Sequence, residues 1–320
     1  MRTSRVFEDR PAVREATPCL VGIVGPSGSG KTRSALRLAT GMQRVHGGDI
    51  GFVDTETRRA MHYADHFKFR HVDFKAPYGP LDYLDALHGL VKKGVKTIVF
   101  DSMSHEWDGP GGVLDQHAEF AQGDPKRAML GWAIVKPPHR RLIAALTQVE
   151  ASTIMCFRAR EKLKIQKGRD PKEIGWQADS DGGLIYECLV NFLLRPGAEG
   201  VPTWTSETPE EMLSIKNPRA LGFDSFLLPG GKPAQLSEDM GEALASWSAG
   251  KKPEPLPSIA DAIRALSDAS TVRAIEMIRR PIADAWKRFP ESESDAMGAF
   301  VEAIDSARAR VGDLPKEAKP

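Results

Sequence analysis

Residues Gly25-Pro26-Ser27-Gly28-Ser29-Gly30-Lys31-Thr32 match the string G-x-x-x-x-G-K-[ST], in which every fixed residue has work at a nucleoside triphosphate. The glycines let the backbone curl until successive N–H groups converge on a β-phosphate. Lys31 can reach the β- and γ-phosphates, and the Thr32 hydroxyl is suited to hold Mg²⁺. The flanks agree with that reading. Leu20-Val21-Gly22-Ile23-Val24 is a short apolar run suited to a buried parallel strand, and Ser34 to Ala39 reads as a helix. Its positive N-terminal end would face the phosphates.

Two carboxylates form a second tier. Asp101 ends the apolar strand Thr97-Ile98-Val99-Phe100, where an acid orients the Mg²⁺ shell, usually through water. Glu56 follows Phe52-Val53-Asp54-Thr55, just past another strand end, where it could position the attacking water and accept its proton. As a plainer alternative, Glu56 is a first-turn helix acid favoured by the helix dipole. Glu106 is the backup for water activation, and His105-Glu106 otherwise shapes the loop after Asp101.

The elements that must carry these groups alternate. Strands are expected at Ile50–Val53, Phe69–Phe74, Thr97–Asp101 and Ser152–Phe157. Helices are expected from Asp54 to about Phe67, over Leu81–Val91 closed by Gly94, and over about 112–149 with a break at Pro137-Pro138. This alternation signals a mainly parallel sheet with helices on its faces. Beyond 160, the segments Leu184–Leu194, Met212–Ile215 and Phe226–Leu228 read as hairpins appended to the sheet, and Glu238–Trp247 as a closing helix. The domain reading is a flexible arm at 1–17, a core at 18–250, a Pro-rich linker at 251–257, a helical C-terminal domain at 258–312 and a tail at 313–320. Ser258 would cap the first of those helices, and Met297, Phe300, Val301, Ile304 and Val311 would line one face.

Composition narrows the classes. With 44 Lys+Arg against 43 Asp+Glu in 320 residues, no global charge draws the chain to polyanions, so any such binding must be local. There is no membrane-length apolar stretch and no signal-peptide core, which points to the cytoplasm, the host's if the chain is phage-encoded. Cys19, Cys156 and Cys188 read as reduced core residues. His62, His66 and His71 lack further metal ligands and read as ordinary histidines. Trp107, Trp132, Trp176 and Trp286 read as packing residues.

The order of phosphate loop, then Val53-Asp54-Thr55-Glu56 with Tyr63-Ala64, then Ile98-Val99-Phe100-Asp101-Ser102, resembles the RecA-like ATPase core. Asp101-Ser102-Met103-Ser104-His105-Glu106-Trp107 and Cys156-Phe157-Arg158-Ala159-Arg160-Glu161-Lys162 look more narrowly like RecA-core ATPases of phage genomes related to Sak-type single-strand annealing recombinases. The resemblance covers about residues 18–250 and implies a RecA-like P-loop core that binds ATP and Mg²⁺. It places a γ-phosphate sensor near Arg158, where RecA has an amide, with Arg160 as its neighbour. Two exposed arginines alternating out of a strand end are the plain alternative. Ile215-Lys216-Asn217-Pro218-Arg219 resembles the string that supplies a cation across the RecA subunit interface, so Lys216 or Arg219 would act in trans.

A polymer-binding ATPase needs loops near the γ-phosphate. Residues 109–127 are one candidate for single-stranded DNA, and 162–176 another, with five cations between Lys162 and Lys172 and Trp176 beyond. The alternative there is a solvated hairpin whose Trp packs inward. The leading expectation is an ATPase that assembles as a ring or filament on single-stranded DNA in phage recombination or replication, with the C-terminal helices recruiting a partner. The runner-up is an ATP-switched helicase loader, followed by a small-molecule kinase. The sequence has no L-S-G-G-Q string of transporters and no N-K-x-D motif of GTPases.

Overall fold

The computed structural model describes residues 9, 11–12, 15–164, 170–203, 208, 214–215, 234–250, 259–288 and 294–312. Its first half alternates β1 (Leu20–Gly25), α1 (Lys31–His46), β2 (Ile50–Asp54), a 3₁₀ turn (Arg59–Tyr63), β3 (Arg70–Asp73), α2 (Pro80–Lys92) and β4 (Thr97–Asp101). Three helices follow, α3 (Ser104–Asp108), α4 (Val113–Ala121) and α5 (Pro125–Gln148). Then come β5 (Ser152–Lys164), β6 (Lys172–Ala178), α6 (Gly182–Glu187), β7 (Val190–Leu193), β8 (Ser214–Ile215) and α7 (Glu238–Ser248). The C-terminal helices are α8 (Ile259–Asp268), α9 (Val272–Arg288) and α10 (Ser294–Gly312).

Among the described residues eight strands make one sheet, ordered β3-β2-β4-β5-β1-β7-β8, with β6 paired to β5. The six strands from β3 to β7 in that order run parallel, whereas β6 and β8 are antiparallel additions. The P-loop α/β fold with appended antiparallel strands and a helical C-terminal region is thus the architecture present. Strand β1 is buried along its whole length, as a central parallel strand covered on both faces must be. Its side chains alternate between two cores. Val21 and Ile23 join Leu36, Leu38 and Met42 of α1, with Leu244 of α7, on one face. Leu20 and Val24 join Leu87 of α2 and Leu142 of α5 on the other. Helices α8 to α10 share a smaller cluster around Leu266, Ile275, Phe300 and Ile304.

Several expectations need correction. Helix α5 runs through Pro137 and Pro138 without a break. The carbonyls that the two prolines cannot serve belong to Ala133 and Ile134, on the exposed side, where water can bond them. Leu184–Leu194 is not a hairpin but the short helix α6 followed by β7, which adds to β1 in parallel. A helix starts there because Asp181 caps it, its carboxylate accepting the Gly183 N–H. The helix expected to reach Phe67 is only a 3₁₀ turn ending at Tyr63. Val301 is exposed, while Phe300 and Ile304 face the core. The proposed linker, the tail, Ser258, Met212, Phe226–Leu228, most of the arm and the side chains of Trp286 and Met297 lie outside the described residues.

Helices α1 and α7 approach to backbone contact. A Cβ at Gly41 would overlap the Glu238 carbonyl, and one at Gly241 the Leu38 carbonyl. Arg37 of α1 adds a two-pronged ion pair to Glu238. Gly41→Ala is therefore expected to cost about 1–3 kcal/mol of stability by forcing the helices apart. A urea denaturation midpoint equal to wild type would contradict this close approach.

Candidate nucleotide site

Strand β1 ends at Gly25 and α1 begins at Lys31, so the phosphate loop is the whole connection between them. Gly30 caps α1 with φ 95°, a left-handed value natural to glycine, and a Cβ there would crowd the Gly200 nitrogen at 2.6 Å. The Lys31 ammonium donates to the carbonyls of Gly25 (2.8 Å) and Pro26 (2.7 Å), lying across the loop. Burial pulls its pKa below the usual lysine value, against neighbouring Asp101 and Glu56.

At the tip of β4, Asp101 is buried and accepts a 2.6 Å hydrogen bond from the Thr32 hydroxyl. Burial raises its pKa from 3.8 to about 6, and the Thr32 bond and Lys31 oppose that rise. A backbone bond from Thr55 N–H to the Asp101 carbonyl (2.8 Å) ties the β2 tip to the β4 tip. Thr55 Oγ1 also accepts the Ser102 N–H at 2.8 Å and shares a 2.7 Å bond with His105 Nδ1. Tyr78 stacks on His105 at 4.8 Å, and Tyr83 donates to the Ser102 carbonyl at 2.7 Å. The loop after Asp101 is thereby fixed by buried side chains.

Glu56 is set by its neighbours. Asp54, buried at the end of β2, accepts the Glu56 N–H (2.8 Å), the Ala60 N–H (3.1 Å) and a bond with His71 Nε2 (3.1 Å). The chain then turns through two left-handed residues, Thr57 (φ 60°) and Arg58 (φ 64°), a conformation costing roughly 1–3 kcal/mol per residue. The Glu56 carboxylate accepts from Arg158 Nε (3.0 Å) and a terminal guanidinium nitrogen (2.7 Å). Arg158 stands in β5 opposite Gly25 of β1, and its N–H donates to Ser104 Oγ at 2.9 Å. Strand β5 thus brings Arg158 between the phosphate loop and the Asp101 loop.

Other expected residues are placed elsewhere. Arg160, two positions further along β5, pairs with Asp179 (2.8 Å) and Asp108 (3.3 Å) beside the β5–β6 hairpin. Trp176 on that hairpin packs against an apolar core, which is the inward alternative. Lys164 and Lys172 are exposed, while Lys167, Arg169, Lys216 and Arg219 lie outside the described residues. Glu106 is fully buried, with its carboxylate bonded to His139 Nδ1 at 2.8 Å, an arrangement that leaves it no access to bulk water. The other His139 nitrogen lies 3.4 Å from Asp181, so α3, α5 and the α6 cap are joined through one imidazole. Burial pushes the Glu106 pKa up, against the pull of His139. Among the expected packing aromatics, Trp107 stacks on Trp132 at 6.3 Å and Trp132 on His117 at 4.0 Å. The three cysteines are buried thiols that form no disulfide.

Tyr63, without an expected role, lines a cavity of about 210 Å³ with Gly30, Arg33, Ser34 and Arg37 beside the loop. An aromatic shortly after Glu56 was the available signal. Loop N–H groups, a helix start, a cation and a paired hydroxyl and carboxylate together fit a triphosphate with its Mg²⁺.

The model of the family AAA_24, described as an AAA domain, matches residues 17–188. The chain belongs to this family. The matched stretch of the AAA_24 chain holds the phosphate loop, Glu56, Asp101 and Arg158 together. Among solved structures, a KaiC-like protein, PH0186 from the hyperthermophilic archaeon Pyrococcus horikoshii OT3, is similar at 16% identity and a TM-score of 0.32, over 57% of this chain and 72% of that one. No curated protein matches the chain. No helix among the described residues is long and apolar enough to cross a membrane.

His139→Leu leaves the buried Glu106 carboxyl without its partner and is expected to cost about 3–5 kcal/mol of stability. The double variant Glu106→Met/His139→Leu should recover most of that loss in thermal denaturation. Equal losses in the single and double variants would contradict the pairing.

Proposed function

We propose that this AAA_24 protein binds and hydrolyses ATP and acts on single-stranded DNA in phage recombination or replication, in the cytoplasm. The observation that carries the proposal is the Thr32–Asp101 hydrogen bond at the mouth of the phosphate loop, with Glu56 at the next strand tip. The loop residues Gly25 to Thr32 bind the triphosphate, and Lys31 neutralises its charge. Thr32 and Asp101 are the residues to hold Mg²⁺, which supplies charge neutralisation on the phosphates when bound. Glu56 orients a water and takes its proton, held in place by the Asp54 bond to its backbone. The cavity beside Tyr63 and Gly30 offers the base an aromatic face and polar walls.

Arg158 is the group that couples these events to a partner. Its ion pair with Glu56 engages the base, so turnover requires the arginine to release it. That pair also favours a second reading, an ATP-switched loader with slow turnover. Support for DNA comes from the phage resemblance and from the exposed Lys164 and Lys172 on the hairpin extending from Arg158. The assembly is a ring or filament, and α8 to α10 recruit a recombination or replication partner.

Turnover measured with and without a single-stranded oligonucleotide tests the proposal. Lys31→Ala is expected to abolish hydrolysis. Glu56→Gln should keep ATP binding while slowing turnover about 10²–10⁴-fold. Normal turnover by Glu56→Gln would remove Glu56 as the base, and a rate indifferent to the oligonucleotide in wild type would overturn the DNA reading.

A further inference from the structure

The N-terminal half of helix α5 carries Lys126, Arg127 and Lys136, and no acidic residue lies over Pro125–Gln148. Its N-terminal half also leaves a ridge of apolar side chains in solvent, Met129 at 80% exposure, Leu130 at 63% and Ile134 at 52%. Ala133 and Pro137 continue the same exposed stripe at helical spacing. A contiguous apolar ridge rimmed by polar groups marks an interaction surface.

At the other end of the same helix lies a complementary feature. A cavity of about 580 Å³ opens beside Leu146, with Leu20, Leu189 and Trp247 among its apolar lining. Glu15 and Glu187 line it too. It sits where β1 begins, opposite the end from which the phosphate loop leaves. Met129 and Leu146 are 17 positions apart on one helix, about 26 Å at 1.5 Å per residue. Each chain therefore presents a cation-rimmed apolar ridge at one end and a carboxylate-bearing apolar cavity at the other.

We propose that the α5 ridge of one copy seats in the Leu146–Trp247 cavity of a second copy. The contact is heterologous, so a pair still has one open ridge and one open cavity, and it propagates into a ring or filament. Apolar area supplies affinity while Lys126, Arg127 and Lys136, facing Glu187, set partner and register. The inference rests on the assembly part of the reading above and names its surfaces. It is independent of hydrolysis.

Sedimentation velocity of the full chain over a concentration series, with and without Mg·ATP, tests it. Wild type is expected to grow in mass with concentration. Met129→Glu/Ile134→Glu on the ridge and Glu187→Arg at the cavity should each weaken association about tenfold or more, with circular dichroism spectra like wild type. The decisive sample is an equimolar mixture of the two variants. Each retains one working surface, so the mixture should form two-chain particles and none longer. A wild-type monomer at every concentration overturns the proposal, as does wild-type association by both variants. Loss of binding to an oligonucleotide or an acidic peptide by the ridge variant, with particle mass unchanged, overturns it in favour of those occupants. ATP turnover by the same samples reads the catalytic proposal separately.

Discussion

A single hydrogen bond, Thr32 Oγ1 to Asp101 Oδ2 at 2.6 Å, joins the phosphate loop to a strand that is not its neighbour in the sheet. Strand β5 lies between β1 and β4, so the bond spans a strand and depends on the register of all three. The parallel pairing secures this, with Gly25 opposite Arg158 and Asp101 opposite Cys156. Slippage in register would move Asp101 away from Thr32 and reverse which side chains face each core. Burying Asp101 is unfavourable, as its raised pKa reports, and Thr32 and Lys31 offset part of that cost. A hard divalent cation at this position would offset more.

Around that bond, the site is held by short buried polar contacts. Asp54 fixes the Glu56 backbone, Thr55 bridges to Ser102 and His105, and Ser104 holds the Arg158 amide. The Thr55 and Ser104 contacts tie one strand tip to the next, and the Asp54 contact fixes Glu56 at the β2 tip, so Glu56, Asp101 and Arg158 are positioned by one network. The two left-handed residues after Glu56 are tolerated because Asp54 over-determines the turn through the Glu56 and Ala60 N–H groups. Rigid support of this kind is what a reacting geometry needs. Arg158 is the contrasting element, an exposed cation paired with Glu56.

Legibility in the sequence followed contiguity. The phosphate loop, the strand ending in Asp101 and the placement of Glu56 just past β2 are local patterns, and local physics decides them. Arg158 and Arg160 could not be separated by alternation alone, since both point to one side of β5; their partners Glu56 and Asp179 separate them. The Glu106–His139 pair joins residues 33 positions apart and leaves no local trace. Pro137 and Pro138 suggested a helix end just where His139 is needed, and the exposed side of α5 absorbed them. Leu184–Leu194 misled because one apolar run serves both a short helix and a strand, a distinction made by Asp181 capping and by pairing with β1.

Titrating the protein with Mg·ATP in a calorimeter, beside the Asp101→Asn variant, tests the central claim most directly. The expected result is saturable heat for wild type, with Mg²⁺-dependent affinity lost in the variant. No heat from wild type, or equal Mg²⁺-dependent affinity in both proteins, would contradict the assignment of Thr32 and Asp101 as the grip on the metal.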